Sequence, residues 1–242
     1  MWKKLSENSG EILFHNCNVV LSESVEKQDV LVVDGKIKEV GKNINPSSNA
    51  EKIDCEGNYL APGIIDPFVH IGEPAGQYKE SLYNTAQSAI AGGITTIGIL
   101  PDTKPVIDST SMVEYIKNRA VEKSQCNVSV FGAATKKLEG KEISEMGLLK
   151  KAGVVGLAQA DKYIEDSKIF RLAAEYASNF ELTICQQPED KFLSNEGVIN
   201  EGEIATRLGV IGIPRIAEKI GLDRDINICR DVDAKYHAMN IS

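Results

Sequence analysis

The stretch Ala61-Pro62-Gly63-Ile64-Ile65-Asp66-Pro67-Phe68-Val69-His70-Ile71-Gly72-Glu73-Pro74 decides how the chain is read. The apolar pair Ile64 and Ile65 leads into Asp66, Phe68 and His70 at every second position, a spacing that aims three side chains to one face of a strand. That spacing builds metal sites at the mouth of a barrel. Here the middle member is a phenylalanine, which has no lone pair to offer a metal. The stretch therefore has the layout of a catalytic strand without its chemistry.

Upstream, residues from Ile12 to Leu60 read as a small β module: Ile12-Leu13-Phe14, Val19-Val20-Leu21, Asp29 to Val33, then Lys36 to Gly41. Asp34-Gly35 between two β-rich runs is a strong hairpin signal. Downstream, apolar runs alternate with helical patterns, which argues for parallel βα units. The strand candidates are 63–70, 95–100, 127–132, 154–158, 181–186 and 235–241. The helical patterns are 82–91, 111–122, 142–152, 167–180, 202–208 and 216–230. Six strand candidates are too few for a closed eight-stranded barrel, in which every strand is paired on both sides. The expected fold is α/β, an incomplete TIM-like (β/α) barrel over 61–242 with an N-terminal β module over 1–60.

A chain of 242 residues with 42% apolar content can bury a sizeable core, and a formal charge of −8 argues against a nucleic-acid or anionic-membrane surface. The five cysteines, Cys17, Cys55, Cys126, Cys185 and Cys229, are odd in number and contain no Cys-x-x-Cys pair. That usage suits reduced thiols in a cytoplasmic protein and disfavours both a disulfide framework and a thiolate zinc site. No apolar stretch reaches the length of a membrane span, and Met1-Trp2-Lys3-Lys4-Leu5 lacks the apolar core of a signal peptide. The expected location is the cytoplasm, with no membrane and no nucleic acid among the partners.

A run of ordered motifs resembles one family. Asp34-Gly35-Lys36-Ile37, Ala61 to Asp66, Glu73-Pro74, Tyr78-Lys79-Glu80, Ala91 to Thr96, Pro105 to Asp108, Gly132 to Lys136, Glu189-Asp190, Asn200 to Glu203 and Gly212-Ile213-Pro214 are all similar to dihydroorotase. The resemblance runs from about Ile12 to Ser242 and implies an amidohydrolase, with a metal site at the open end of a (β/α)8 barrel and a β module beside it. It also implies a role in pyrimidine biosynthesis.

The departures fall on the positions that the resemblance assigns to chemistry. The family's first strand carries His-x-His-x-Arg, two metal ligands and a substrate-binding arginine; these positions read Phe68, His70 and Gly72. Its Met-Pro-Asn-Thr, whose asparagine contacts substrate, reads Leu100-Pro101-Asp102-Thr103, and a carboxylate there would repel an acidic substrate. Its Ser-Asp-Asp-Gly aligns with Ala158-Gln159-Ala160-Asp161. Its His-Ala-Glu-Asp becomes Gln187-Pro188-Glu189-Asp190, and its His-Val-Ser becomes Asn240-Ile241-Ser242. The aspartate that the family uses as general base on an eighth strand has no counterpart up to Ser242. Of the ligand positions only His70 keeps its residue, and a single imidazole cannot hold a catalytic zinc that normally needs three protein ligands.

Plainer readings cover the other polar residues. His15 and His237 have no partner pattern, and Asp66 beside Pro67 suits a backbone cap as well as an orienting group. Gly92-Gly93 with Thr95-Thr96 lacks the Gly-Lys-Ser/Thr of a phosphate loop. Cys126 and Cys185 read as inert thiols, and Asp161, Glu165 and Asp166 as a solvated acidic loop. The expectation is a protein with no catalytic residues, no substrate-binding residues (family positions Gly72 and Asp102), no metal and a vestigial His70, the positions Phe68, Gln159, Gln187 and Asn240 having changed. It would act as a structural or regulatory partner, with aspartate carbamoyltransferase the candidate, or as a homo-oligomer. The alternative is a cyclic amidohydrolase that holds zinc through altered ligands.

Overall fold

The computed structural model describes residues 10–242. Residues 1–9, including the Met1 to Leu5 segment read above, lie outside the described residues. The chain divides into two compact units, one ending at Gly63 and one running from Ile64 to Ser242.

In the first unit β1 (Glu11–Val20), β2 (Val25–Val33), β3 (Lys36–Gly41) and β4 (Glu51–Asp54) form a sheet in the order β3-β2-β1-β4, with β5 (Tyr59–Leu60) pairing to β1. The Asp34-Gly35 turn joins β2 to β3, both residues at positive φ (48° and 73°), as a tight hairpin of right-handed strands requires. Ile12–Phe14 and Val19–Leu21, read from sequence as separate strands, fall in one strand up to Val20, where β1 ends. Asn16, at φ 56°, forms a bulge where the pairing with β2 shifts register between Phe14 and Cys17.

The second unit is built on six parallel strands: β6 (Ile64–Val69), β7 (Ile94–Ile99), β8 (Asn127–Ala133), β9 (Gly156–Ala158), β10 (Ile184–Gln186) and β13 (Tyr236–Ala238). They pair in sequence order, so β6 and β13 are the terminal strands of the path. Between them run α1 (Leu82–Ala91), α2 (Thr110–Lys123), α3 (Met146–Ala152), α4 (Ser167–Ser178) and, before β13, α5 (Lys191–Ser194), α6 (Glu203–Leu208) and α7 (Arg215–Asp231). This is the expected incomplete TIM-like barrel. The sequence reading missed β4, β5 and the pair β11 (Ile199–Asn200) and β12 (Gly212–Ile213), most of them too short to show a period. It also began the helix of α3 too early, because Ile143 bridges to Thr135 and Ser144 bonds back to Ala134 before the helix starts.

Alternation along the strands sorts side chains to two faces. Ile97, Ile99, Val130, Leu157 and Ile184 point outward and bury against Leu82, Val113, Ile116, Leu149, Phe170 and Ala173 of the helices. Phe131, Ala133, Ala158 and Cys185 form a second cluster inside the sheet with Leu100, Leu138 and Met239, and Phe68 packs against it. The Phe131 ring lies over Gly98 and Gly156 of its neighbouring strands: a Cβ at either would come within 2.9 Å or 2.8 Å of the ring.

A buried polar network ties α7 to the outward face. Asp225, fully buried, accepts from Gln186 Nε2 (2.7 Å), from the hydroxyls of Tyr163 (3.2 Å) and Tyr236 (2.7 Å), and from the neighbouring Arg224 guanidinium. Arg224 in turn stacks on Tyr163, its Cζ 4.3 Å from the ring centroid. Burial first, and the Asp225 charge second, push the phenols of Tyr163 and Tyr236 well above the ordinary tyrosine range.

Candidate functional site at the barrel mouth

The C-terminal ends of the strands bring the sequence-selected positions to one region. His70 follows β6 directly, and its Nδ1 lies 2.7 Å from Asp102 Oδ2 after β7, while its Nε2 lies 3.4 Å from Asp161 Oδ1 after β9. The imidazole is half-exposed. Its pKa is raised: burial is the largest single influence and opposes the charge, but the hydrogen bond and charge of Asp102, helped by Asp161, outweigh it. The carboxylate at position 102 thus has a partner within this chain. Asp161, read as part of a solvated loop, is exposed but reaches His70; Glu165 pairs with Lys191 at 3.1 Å, and Asp166 caps α4.

Phe68 points inward, as its spacing predicts. Its ring sits 5.5 Å from that of Phe131 and edge-on to His237 at 4.9 Å, so an aromatic stack fills this part of the interior. Asp66 takes the capping role, accepting from the Phe68 backbone N–H at 3.3 Å. Gln159 is fully buried, with the Thr135 hydroxyl 3.0 Å from its Oε1 and 2.9 Å from its Nε2; that hydroxyl also accepts from Gly140 N. Asn240 donates to Gln187 Oε1 at 3.3 Å. Both line a cleft of about 570 Å³ with Glu189, Asn200, Arg215 and Lys219.

Gly72 stands where the resemblance puts an arginine. The loop folds tightly around it: its N–H donates to Glu80 O, and a Cβ would lie 2.7 Å from that oxygen and closer still to Gly76 O. No side chain fits there without a new loop path.

The chain matches the model of the family described as dihydro-orotase-like over residues 57–242. It belongs to that family. Dihydroorotases from Trichlorobacter lovleyi, Caldanaerobacter subterraneus subsp. tengcongensis and Carboxydothermus hydrogenoformans are 39%, 42% and 38% identical over 88%, 90% and 96% of this chain, covering 50%, 50% and 54% of their own lengths. The chain thus spans about half the length of the curated relatives it matches. Among solved structures, the L-hydantoinase (dihydropyrimidinase) from Arthrobacter aurescens aligns with a TM-score of 0.75 at 20% identity over 93% of this chain and 51% of its own. A dihydroorotase crystal structure aligns at 0.52 and 15% identity over 95% of this chain and 64% of its own. These likenesses carry the fold.

The residues of this dihydroorotase-like chain fit poorly with the metal centre its fold implies. One imidazole, already bonded to a carboxylate, stands with three carboxamides that are hydrogen-bonded to neighbours, and neutral amide oxygens are weak zinc donors. Among the described residues no group of three or more His, Cys, Asp or Glu side chains is arranged to hold a metal ion. The sequence reading found the changed positions but missed their partners. Thr135 lies within the Gly132 to Lys136 motif, yet its bond to Gln159 crosses from the end of β8 to the end of β9. Cys17 and Cys55 are both free, in keeping with reduced thiols, and their sulfurs lie 3.1 Å apart, a proximity that cysteine spacing does not show.

Proposed function

We propose that this dihydroorotase-like chain is non-catalytic and serves pyrimidine biosynthesis as a structural or regulatory partner, with aspartate carbamoyltransferase the candidate it binds. The observation that carries this reading is the stabilised replacement of the family's mouth: Phe68 is packed in an aromatic stack, Gln159 is bonded to Thr135, and His70 is paired with Asp102. Phe68, Gln159 and Asn240 each have neighbours that suit them, and the strands, turns and helices around them keep the family's fold. Such a pattern fits retention of the scaffold without its reaction.

Among the described residues β6 and β13 are the terminal strands of the sheet, and Ile64, Ile65 and Ile241 are exposed. Such edges and apolar residues are surfaces that further polypeptide, a second chain or a second copy can cover. Co-elution with the cognate carbamoyltransferase on size exclusion tests the partner role. A complex of defined stoichiometry supports it, and a monomer that ignores the carbamoyltransferase at micromolar concentration counts against it.

A second reading is favoured by the cleft beside Gln187 and Asn240 and by relatives named dihydroorotase. There the chain would open a cyclic amide, dihydroorotate to N-carbamoyl-aspartate, on zinc held by His70, Gln159, Gln187 and Asn240. Metal content and dihydroorotate turnover on one preparation separate the two.

A further inference from the structure

Cys17 and Cys55 come from opposite ends of the first unit's sequence, and the sheet places their sulfurs 3.1 Å apart. The backbone on both sides is fixed. The Asn16 bulge resets β1 so that Cys17 pairs with Gln28 of β2. Cys55 follows β4, donating its N–H to His15 O at 2.9 Å, and the turn after it is closed by Asn58 N to Cys55 O at 2.7 Å. Both side chains enter the same apolar cluster, with Val19, Val30 and Leu60. A disulfide needs its sulfurs at about 2.05 Å, so closure requires a movement of about 1 Å, within the reach of side-chain rotation.

We infer that Cys17 and Cys55 form a reversible, oxidant-responsive disulfide within this chain. The two cysteines have unequal roles. Cys17 is buried, and burial first, then its contact with Cys55 and the charges of Asp29 and Asp54, push its thiol up to about 12. It is the resolving thiol. Cys55 is part-exposed and meets the oxidant first. With a low-molecular-weight disulfide as oxidant, the Cys55 sulfur attacks one sulfur of that disulfide, forming a mixed disulfide and releasing one thiol. Cys17 then gives up its proton and attacks Cys55 Sγ, which breaks the mixed bond and releases the second thiol. The protein loses two electrons and two protons, and the small disulfide is reduced to two thiols. The remaining thiols lie elsewhere in the chain: burial pushes Cys185 and Cys229 up to about 12, and Cys126 is held by Ser124.

The test is titration of the full chain in oxidised and reduced glutathione, an acid quench, alkylation in denaturant so that buried thiols react, and peptide mass mapping. The expected result is a Cys17–Cys55 cross-link with Cys126, Cys185 and Cys229 alkylated, the intact mass lower by two hydrogens and restored by dithiothreitol. Cys17→Ser should leave Cys55 carrying glutathione, and Cys55→Ser should leave Cys17 unmodified. The second variant keeps the test open if the buried substitution fails to fold. The inference is overturned if folded wild-type protein stops at glutathionylated Cys55, stays fully alkylatable, or cross-links through any other pair.

Discussion

The outward and inward faces of the six-stranded sheet have been treated differently. Outward, apolar residues interlock with the helices, and a fully buried carboxylate there, Asp225, is surrounded by Gln186, Tyr163, Tyr236 and Arg224. Inward and at the mouth, positions that the family gives to imidazole, carboxylate and guanidinium hold Phe68, Gln159, Gln187, Asn240 and Gly72. The outward face specifies a fold, and its requirements are packing and hydrogen-bond satisfaction. The mouth is where the resemblance puts a reaction, and under the proposed function its residues meet packing and hydrogen-bonding requirements instead. The same alternation of side chains serves both, so a barrel can keep one face while the other changes its purpose.

The largest expected effect lies on the outward face. Asp225→Ala leaves the Gln186 amide and the Tyr236 hydroxyl without their buried acceptor and removes the counter-charge of Arg224, and it should cost about 3–5 kcal/mol, read as a fall in the urea midpoint of the second unit. A loss below about 1 kcal/mol would show that the network is solvated and the contrast between faces overstated.

Gly72→Arg comes next. Restoring the family's residue should destabilise by about 1–3 kcal/mol, because the side chain meets Glu80 O and Gly76 O, and it should confer no affinity for an acidic ligand. A variant of wild-type stability that binds dihydroorotate by calorimetry would show that the mouth still holds its old shape.

Phe68→His removes ring contacts with Phe131 and His237 at a half-buried site and should cost about 1–2 kcal/mol, below the range for a fully buried aromatic. Zinc content should stay far below one per chain, since Gln159, Gln187 and Asn240 remain amides. Stoichiometric zinc after this single change would mean that the mouth was one residue from function.

The smallest effect is the pH response of His70. Its folded pKa is raised, so the ion pair with Asp102 contributes stability that is fully present below the unfolded value of about 6.5 and is lost as pH rises through the folded value. At a half-exposed site the contribution should be a few tenths of a kcal/mol. NMR titration of the imidazole reads it directly, and Asp102→Asn should move the midpoint downward; an unchanged midpoint would remove Asp102 as the cause.

The fold was legible because its signals are local. The Asp34-Gly35 hairpin, the helix over Leu82 to Ala91 and the alternation of apolar runs each depend on a few adjacent residues. The bulge at Asn16 was not, since Ile12–Phe14 and Val19–Leu21 look like two strands unless their common partner β2 is known. At the mouth, the identity of each changed position could be read from its motif. What replaced the chemistry could not, because His70, Asp102 and Asp161 meet from the ends of three strands, and Gln159 finds Thr135 only once β8 and β9 pair. For the same reason the Cys17–Cys55 contact was invisible to a reading based on cysteine spacing.

The contrast between the two faces is tested most directly by one preparation of the full chain, assayed for bound zinc by mass spectrometry and for dihydroorotate ring opening in zinc-supplemented buffer. The predicted result is zinc well below one per chain and no turnover above the buffer rate. Stoichiometric zinc with turnover that a chelator abolishes would contradict it and establish the mouth as a working site.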